Sequence, residues 1–204
     1  MSYTLGHMTH ARPQAPSDDV VRILEHVRPH ALRRPRAALA VLVGLPGSGK
    51  SRLAEALRAR TGACVLESDA LRALLFRRPT FDAEESRRLF EAIHQAIDEL
   101  LGEGASVILD ATNLAEEERE PLYDIAERRD ARLLLVLTTA PDALIRLRLR
   151  EREETGAGRS QANARVYERM RKRVEEIQRP FRLVDTSEEI GPAVAAIAKE
   201  MMGS

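Results

Sequence analysis

The stretch "AVLVGLPGSGKSRLAEAL", residues 40–57, decides how the rest of the chain is read. It begins inside an apolar run, Ala38 to Val43, that predicts a buried strand. It ends with Leu53, Ala56 and Leu57 at helical spacing. Between them Gly44, Leu45, Pro46, Gly47, Ser48, Gly49, Lys50 and Ser51 complete a G-x-x-x-x-G-K-S pattern. Glycines let the backbone curl until successive N–H groups point at one anion, and the new helix adds the positive end of its dipole. The pattern implies a nucleoside triphosphate site. Gly44, Pro46, Gly47, Ser48 and Gly49 build the cradle, Lys50 reaches the β- and γ-phosphates, and the Ser51 hydroxyl ligates Mg²⁺.

Working outward, strands alternate with helices. "SDDVVRILEHVRPHAL" (17–32) predicts a helix with Ser17 as N-cap. "ACVLES" (63–68) is a second strand, with a short helix from Asp69. A long helix over about 83–101 carries Leu89, Ile93, Ile97 and Leu100 on one stripe and stops at Gly102. "SVILD" (106–110) is a third strand, followed by a helix near 115–129 that starts late or kinks at Pro121. "RLLLVLTT" (132–139) is a fourth strand, and Pro141 suits the first turn of the next helix. A polar loop near 153–161 leads to a helix at about 162–178. "FRLVD" (181–185) is a fifth strand, and Thr186 with Glu189 fits a capping box for the terminal helix. The fold class expected is α/β: a five-stranded parallel sheet covered by helices on both faces. Residues 1–37 read as a loosely attached tail and an accessory helix, and 38–204 as one nucleotide-binding domain.

Composition excludes several classes. No apolar run approaches the roughly 20 residues that cross a bilayer, and the N-terminus lacks the apolar core of a secretory signal. The single cysteine, Cys64, rules out an internal disulfide and suits a reducing cytoplasm. Basic and acidic residues balance at 32 each, so no global basic signature points to nucleic acid. The segment 146–173 is locally basic, with ten Arg or Lys against four Glu.

Ligands of parallel sheets bind at the carboxyl ends of the strands, which gathers further candidates on one rim. Asp69 and Arg72 in "ESDALR" are three residues apart on a helix start. Asp69 suits a general base for an attacking hydroxyl, or the N-cap of its own helix, and Arg72 suits an anionic acceptor. In "ILDATNL", Asp110 ends a strand and suits Mg²⁺, while Asn113 suits a substrate hydroxyl or a helix cap. No second acid follows Asp110, which weakens the reading of a hydrolytic motor. In "APDALIRLRLRER", Leu144, Ile145, Leu147 and Leu149 define a core-facing arc at about 100° per residue. Arg148 and Arg152 fall inside that arc, facing either the triphosphate or Glu151, and Arg146 and Arg150 fall outside it. The "EETGAGRSQAN" that follows reads as a lid, about 148–165, that closes over ATP.

Together the P-loop, "SDALR", "VILDATNL", "APDALIRLRLRER" and "FRLVDTS" resemble the small P-loop kinases: polynucleotide 5′-hydroxyl kinases, gluconate-type sugar kinases and zeta-toxin-type kinases. The resemblance covers about 38–203. It implies a P-loop NTPase fold with the P-loop strand central, a helical lid, ATP and Mg²⁺. It also implies Asp69 as the base, Arg72 on the acceptor phosphate, and Arg148 and Arg152 as lid arginines acting with Lys50 in catalysis. Where the best-known polynucleotide kinases have an aspartate two residues before the substrate-binding asparagine, this chain has Ala111, with Asp110 one place earlier. The expected activity is transfer of the γ-phosphate of ATP to a hydroxyl, with a polynucleotide 5′-OH favoured over a small sugar or antibiotic. The competing class is a nucleotide-dependent ATPase or switch with no acceptor.

Overall fold

Strand β1, Ala38–Val43, is buried along its whole length and feeds two cores at once. Alternate side chains of a strand point to opposite faces. Leu39, Val41 and Val43 enter one apolar cluster, and Ala38, Ala40 and Leu42 enter the other. A strand buried on both faces reads as a continuous apolar run, which is how its sequence looks. The structure, a computed structural model, describes residues 17–28, 32–155 and 164–203.

The chain order is α1 (Asp18–Val27), β1, α2 (Lys50–Thr61), β2 (Cys64–Glu67), α3 (Ser68–Leu75), α4 (Ala83–Gly102), β3 (Val107–Asp110), α5 (Glu116–Arg128), β4 (Arg132–Thr139), α6 (Asp142–Thr155), α7 (Ala164–Arg171), β5 (Phe181–Asp185) and α8 (Gly191–Met202). Five parallel strands pair in the order β2-β3-β1-β4-β5, which puts β1 in the centre. Helices α1, α4 and α5 fill the first cluster, and α2 and α8 fill the second. The expected α/β P-loop architecture is therefore present. Leu89, Ile93, Ile97 and Leu100 of α4 are all fully buried, as their stripe predicts.

Local departures have physical causes. Helix α5 runs through Pro121 from Glu116 without a break. The carbonyl that loses its bond to the missing proline N–H belongs to exposed Glu117, where water can satisfy it. Helix α7 ends at Arg171, short of the expected 178. The backbone beyond it is captured elsewhere: Glu175 N–H donates to Leu114 O at 3.0 Å, and Arg119 Nη2 donates to Glu176 O at 3.1 Å. The expected tail before Ser17, part of the helix to 32 and the glycine-containing middle of the lid lie outside the described residues. In α6 only Ile145 and Leu149 of the predicted arc are buried, and Leu147 is 44% exposed. Their partner is the small cluster with Tyr167 of α7 rather than the sheet, so the apolar arc is narrow. At the sheet's edge, β5 buries only Val184 and leaves Phe181 and Leu183 bare on the opposite face.

Candidate active site

The loop after β1 is held open by backbone geometry only glycine tolerates. Gly44 adopts φ +154°, and a Cβ there would sit 2.5 Å from Thr138 Oγ1. Gly49 adopts φ +94°, and its Cβ would meet the Thr186 side chain at 2.7 Å. Behind the loop, Ser48 and Thr138 share a hydroxyl–hydroxyl hydrogen bond of 2.6 Å. Ser48 is thus anchored by its side chain.

Lys50, the first residue of α2, is buried and donates to Gly44 O at 2.9 Å and Leu45 O at 3.1 Å. An ammonium has three donors, so one remains beyond these two loop carbonyls for a phosphate oxygen. Burial pulls the Lys50 pKa down to about 8, against the attraction of Asp110 and Asp69, and Arg152 pushes the same way as burial. All three rim side chains therefore act on one ammonium. Asp110, at the end of β3, is also buried. Desolvation raises its pKa above the usual carboxylate range, opposed by Lys50 and by a hydrogen bond from the Ser51 side chain. A hydroxyl and a carboxylate side by side at the start of α2 form a hard-oxygen donor set, which fits Mg²⁺ bound together with nucleotide phosphates. No group of three or more His, Cys, Asp or Glu suited to a metal occurs among the described residues, so such an ion would depend on Ser51, Asp110, phosphate and water.

Beyond the loop lies a cleft of about 560 Å³ lined by Gly47, Gly49, Arg52, Arg148, Glu151 and Arg152. Arg152 is exposed on this wall. Arg148 is engaged: it donates to Gly47 O at 3.2 Å, Thr186 Oγ1 at 2.9 Å and Thr186 O at 2.9 Å. Thr186 does not cap α8, whose N-cap is Ile190. Its hydroxyl donates instead to Ser48 O at 2.7 Å, tying the end of β5 to the P-loop. Arg146, outside the arc, pairs with Asp142 and Glu168 and lies over the Tyr167 ring.

On the other side of the rim, Asp69 occupies the first turn of α3 and is half-buried, and α3 has no side-chain N-cap bond. Arg72 is buried; it pairs with Glu85 and donates to Ser86 Oγ at 3.2 Å, with the Phe81 ring 4.7 Å from its guanidinium. Glu85 also accepts the N–H groups of Thr80, at 2.7 Å, and Phe81, at 3.1 Å. Phe81 itself takes a left-handed φ of +59°. Asn113, with φ +47°, is buried and donates from Nδ2 to Leu42 O at 2.7 Å, fixing the β3–α5 turn against β1.

Three residues escaped the sequence reading. Thr186 is hidden because "TSEE" after a strand matches a helix cap just as well. Arg52 was legible as the neighbour of Ser51 in the first turn of α2. Arg119 is fully buried and donates to Asn113 O and Leu114 O at 2.9 Å each, and to Glu116 at 2.8 Å. It holds the turn that carries Asn113.

No curated protein matches this chain. Among solved structures, Chaetomium thermophilum Kti12 in complex with ADP-AlF3 is 20% identical with a TM-score of 0.65, over 81% of this chain and 97% of that one. Mycobacterium tuberculosis APS kinase CysC in complex with AMPPNP and APS is 17% identical with a TM-score of 0.61, over 82% and 98%. A gluconokinase from Sinorhizobium meliloti is 20% identical with a TM-score of 0.55, over 83% and 92%. These likenesses are of fold. A family model described as an AAA domain matches residues 39–177, from β1 to the segment after α7 and including Lys50, Asp69, Asp110 and Arg152, and the chain belongs to that family.

Proposed function

We propose that the protein is an ATP- and Mg²⁺-dependent phosphotransferase that moves the γ-phosphoryl group of ATP to a hydroxyl acceptor. The observation that carries this reading is the convergence on Lys50 of two carboxylates and a guanidinium, Asp110, Asp69 and Arg152, from three different elements. A nucleotide switch needs the cation and the Mg²⁺ carboxylate; a second carboxylate on the acceptor side is what a transfer reaction adds. Two of the three structural neighbours described above are named as kinases.

Asp69 takes the proton of the acceptor hydroxyl as its oxygen attacks the γ-phosphorus and the bond to the β–γ bridging oxygen breaks, releasing ADP. Lys50 and Arg152 neutralise the charge that builds on the transferring group. Ser51 and Asp110 would hold Mg²⁺, which would supply positive charge against the phosphates. Arg148 braces α6 against the P-loop, and Asn113 braces the turn after β3.

For the acceptor, Arg72 behind Asp69 and the basic 146–173 segment support a polynucleotide 5′-OH. The Arg72–Glu85 pair favours the second reading, a small uncharged hydroxyl compound such as a sugar, because the carboxylate already neutralises that guanidinium. Incubation with γ-labelled ATP, Mg²⁺ and a panel of 5′-OH oligonucleotides, nucleosides and sugars tests both. Label in an organic acceptor supports transfer and identifies its class. Label only in inorganic phosphate refutes it in favour of an ATPase.

A further inference from the structure

Helix α1 precedes the stretch matched by the family model, yet it is built into the sheet's first core through Val20, Ile23, Leu24 and Val27. Its flank carries exposed Arg22, which reaches the far end of α3: Nη1 donates to Leu75 O at 3.4 Å, and Nη2 donates to Leu74 O. The last carbonyls of a helix have no partner within it, and a cation there also meets the negative end of the dipole. A second tether runs beside the first. Asp19 of α1 accepts from Arg88 of α4 at 2.6 and 3.0 Å, and the Arg88 guanidinium lies 5.4 Å from the ring of Phe76, the residue that ends α3.

Helix α3 needs such support. It has eight residues, starts directly from β2 and lacks a side-chain N-cap, whereas isolated helices well under a dozen residues do not hold in water. It carries Asp69 in its first turn and Arg72 in its middle. A helix this short turns as one body, so a shift at Leu75 moves Asp69 relative to Lys50 and Asp110.

We propose that Arg22 is a positioning residue: by holding the C-terminal carbonyls of α3 it sets Asp69 against the Lys50 pocket. The tether stands on geometry alone; its effect on phosphoryl transfer rests on the kinase reading above. Because Arg22 is exposed, Arg22→Ala removes no core packing. The test uses the full chain and compares the wild type with Arg22→Ala and Arg22→Lys. Amide hydrogen exchange over 69–76 accelerates about tenfold in Arg22→Ala, is largely restored in Arg22→Lys, and is unchanged in α2 and α8. The dissociation constant of a fluorescent ATP analogue stays within about twofold, while kcat for the acceptor found in the panel falls about tenfold. Unchanged exchange in α3 overturns the tether. Faster exchange with an unchanged kcat, or an equal loss of ATP affinity, overturns the positioning role. Should the wild type label no acceptor at all, the kinase reading fails, and the exchange result still decides the tether by itself.

Discussion

Arg148 grips Thr186 twice, donating to its hydroxyl and to its carbonyl at 2.9 Å each, while the same hydroxyl donates to Ser48 O. One threonine thus joins α6, the last strand and the loop after β1. Thr186→Val keeps the shape but leaves Ser48 O and one guanidinium N–H without partners. The expected cost is about 2 kcal/mol in urea unfolding, with weaker ATP binding, and Thr186→Ser restores both.

Asp69→Asn tests the chemistry. Loss of a general base costs about 10²–10⁴ in rate, so transfer falls by that order while the ATP dissociation constant, measured by calorimetry, is nearly unchanged. Wild-type rates in Asp69→Asn remove Asp69 from the reaction.

The Lys50 ammonium gives a pH signature. Its pKa is about 8 in the folded chain against 10.5 for a free lysine. Between those values the unfolded chain holds the proton and the folded chain does not, so this group's contribution to stability rises with pH across that window. Triphosphate binding adds negative charge beside the ammonium and pulls the proton back. At pH 9, calorimetry in buffers of different ionisation enthalpy should record uptake of close to one proton per ATP bound. Lys50→Met should record almost none.

Asp110→Asn removes the carboxylate that Ser51 contacts. ATP affinity then no longer increases with added Mg²⁺, whereas in the wild type it does; titrations with and without EDTA distinguish the two.

Arg119 carries a structural prediction. Its replacement by Leu removes the donor shared by the carbonyls of Asn113, Leu114 and Glu176, of which Leu114 O keeps the Glu175 N–H. The expected loss is about 3 kcal/mol or more, read as a lower urea midpoint, with faster proteolysis over 172–180.

The strands, their parallel direction and the position of the rim were legible because each rests on local pattern: an apolar run alternating with helices, a glycine-rich turn, an acid at a strand end. The central place of β1 came only from the family resemblance. What stayed hidden depends on where a side chain spends its hydrogen bonds. Arg119 shares its side of α5 with Leu122, Tyr123 and Ala126, yet the wheel does not show that its guanidinium meets the carbonyls of Asn113, Leu114 and Glu176. Thr186 reads as a cap until the P-loop lies beside it. Leu147 joined the predicted apolar face because periodicity shows which residues align, and the width of the surface they meet is set by Tyr167. Arg72 illustrates the same limit from the other side, since its spacing from Asp69 was visible and its partner Glu85, on another helix, was not.

The bare face of β5 has a consequence for the molecule in company. Phe181 and Leu183 stand beside Leu135 and Leu137 of β4 in register, and among the described residues no strand pairs with the outer edge of β5. Any self-attraction at high concentration is therefore expected on this side of the particle, and a lysine in place of Leu183 should blunt it without reaching the rim at the strand ends.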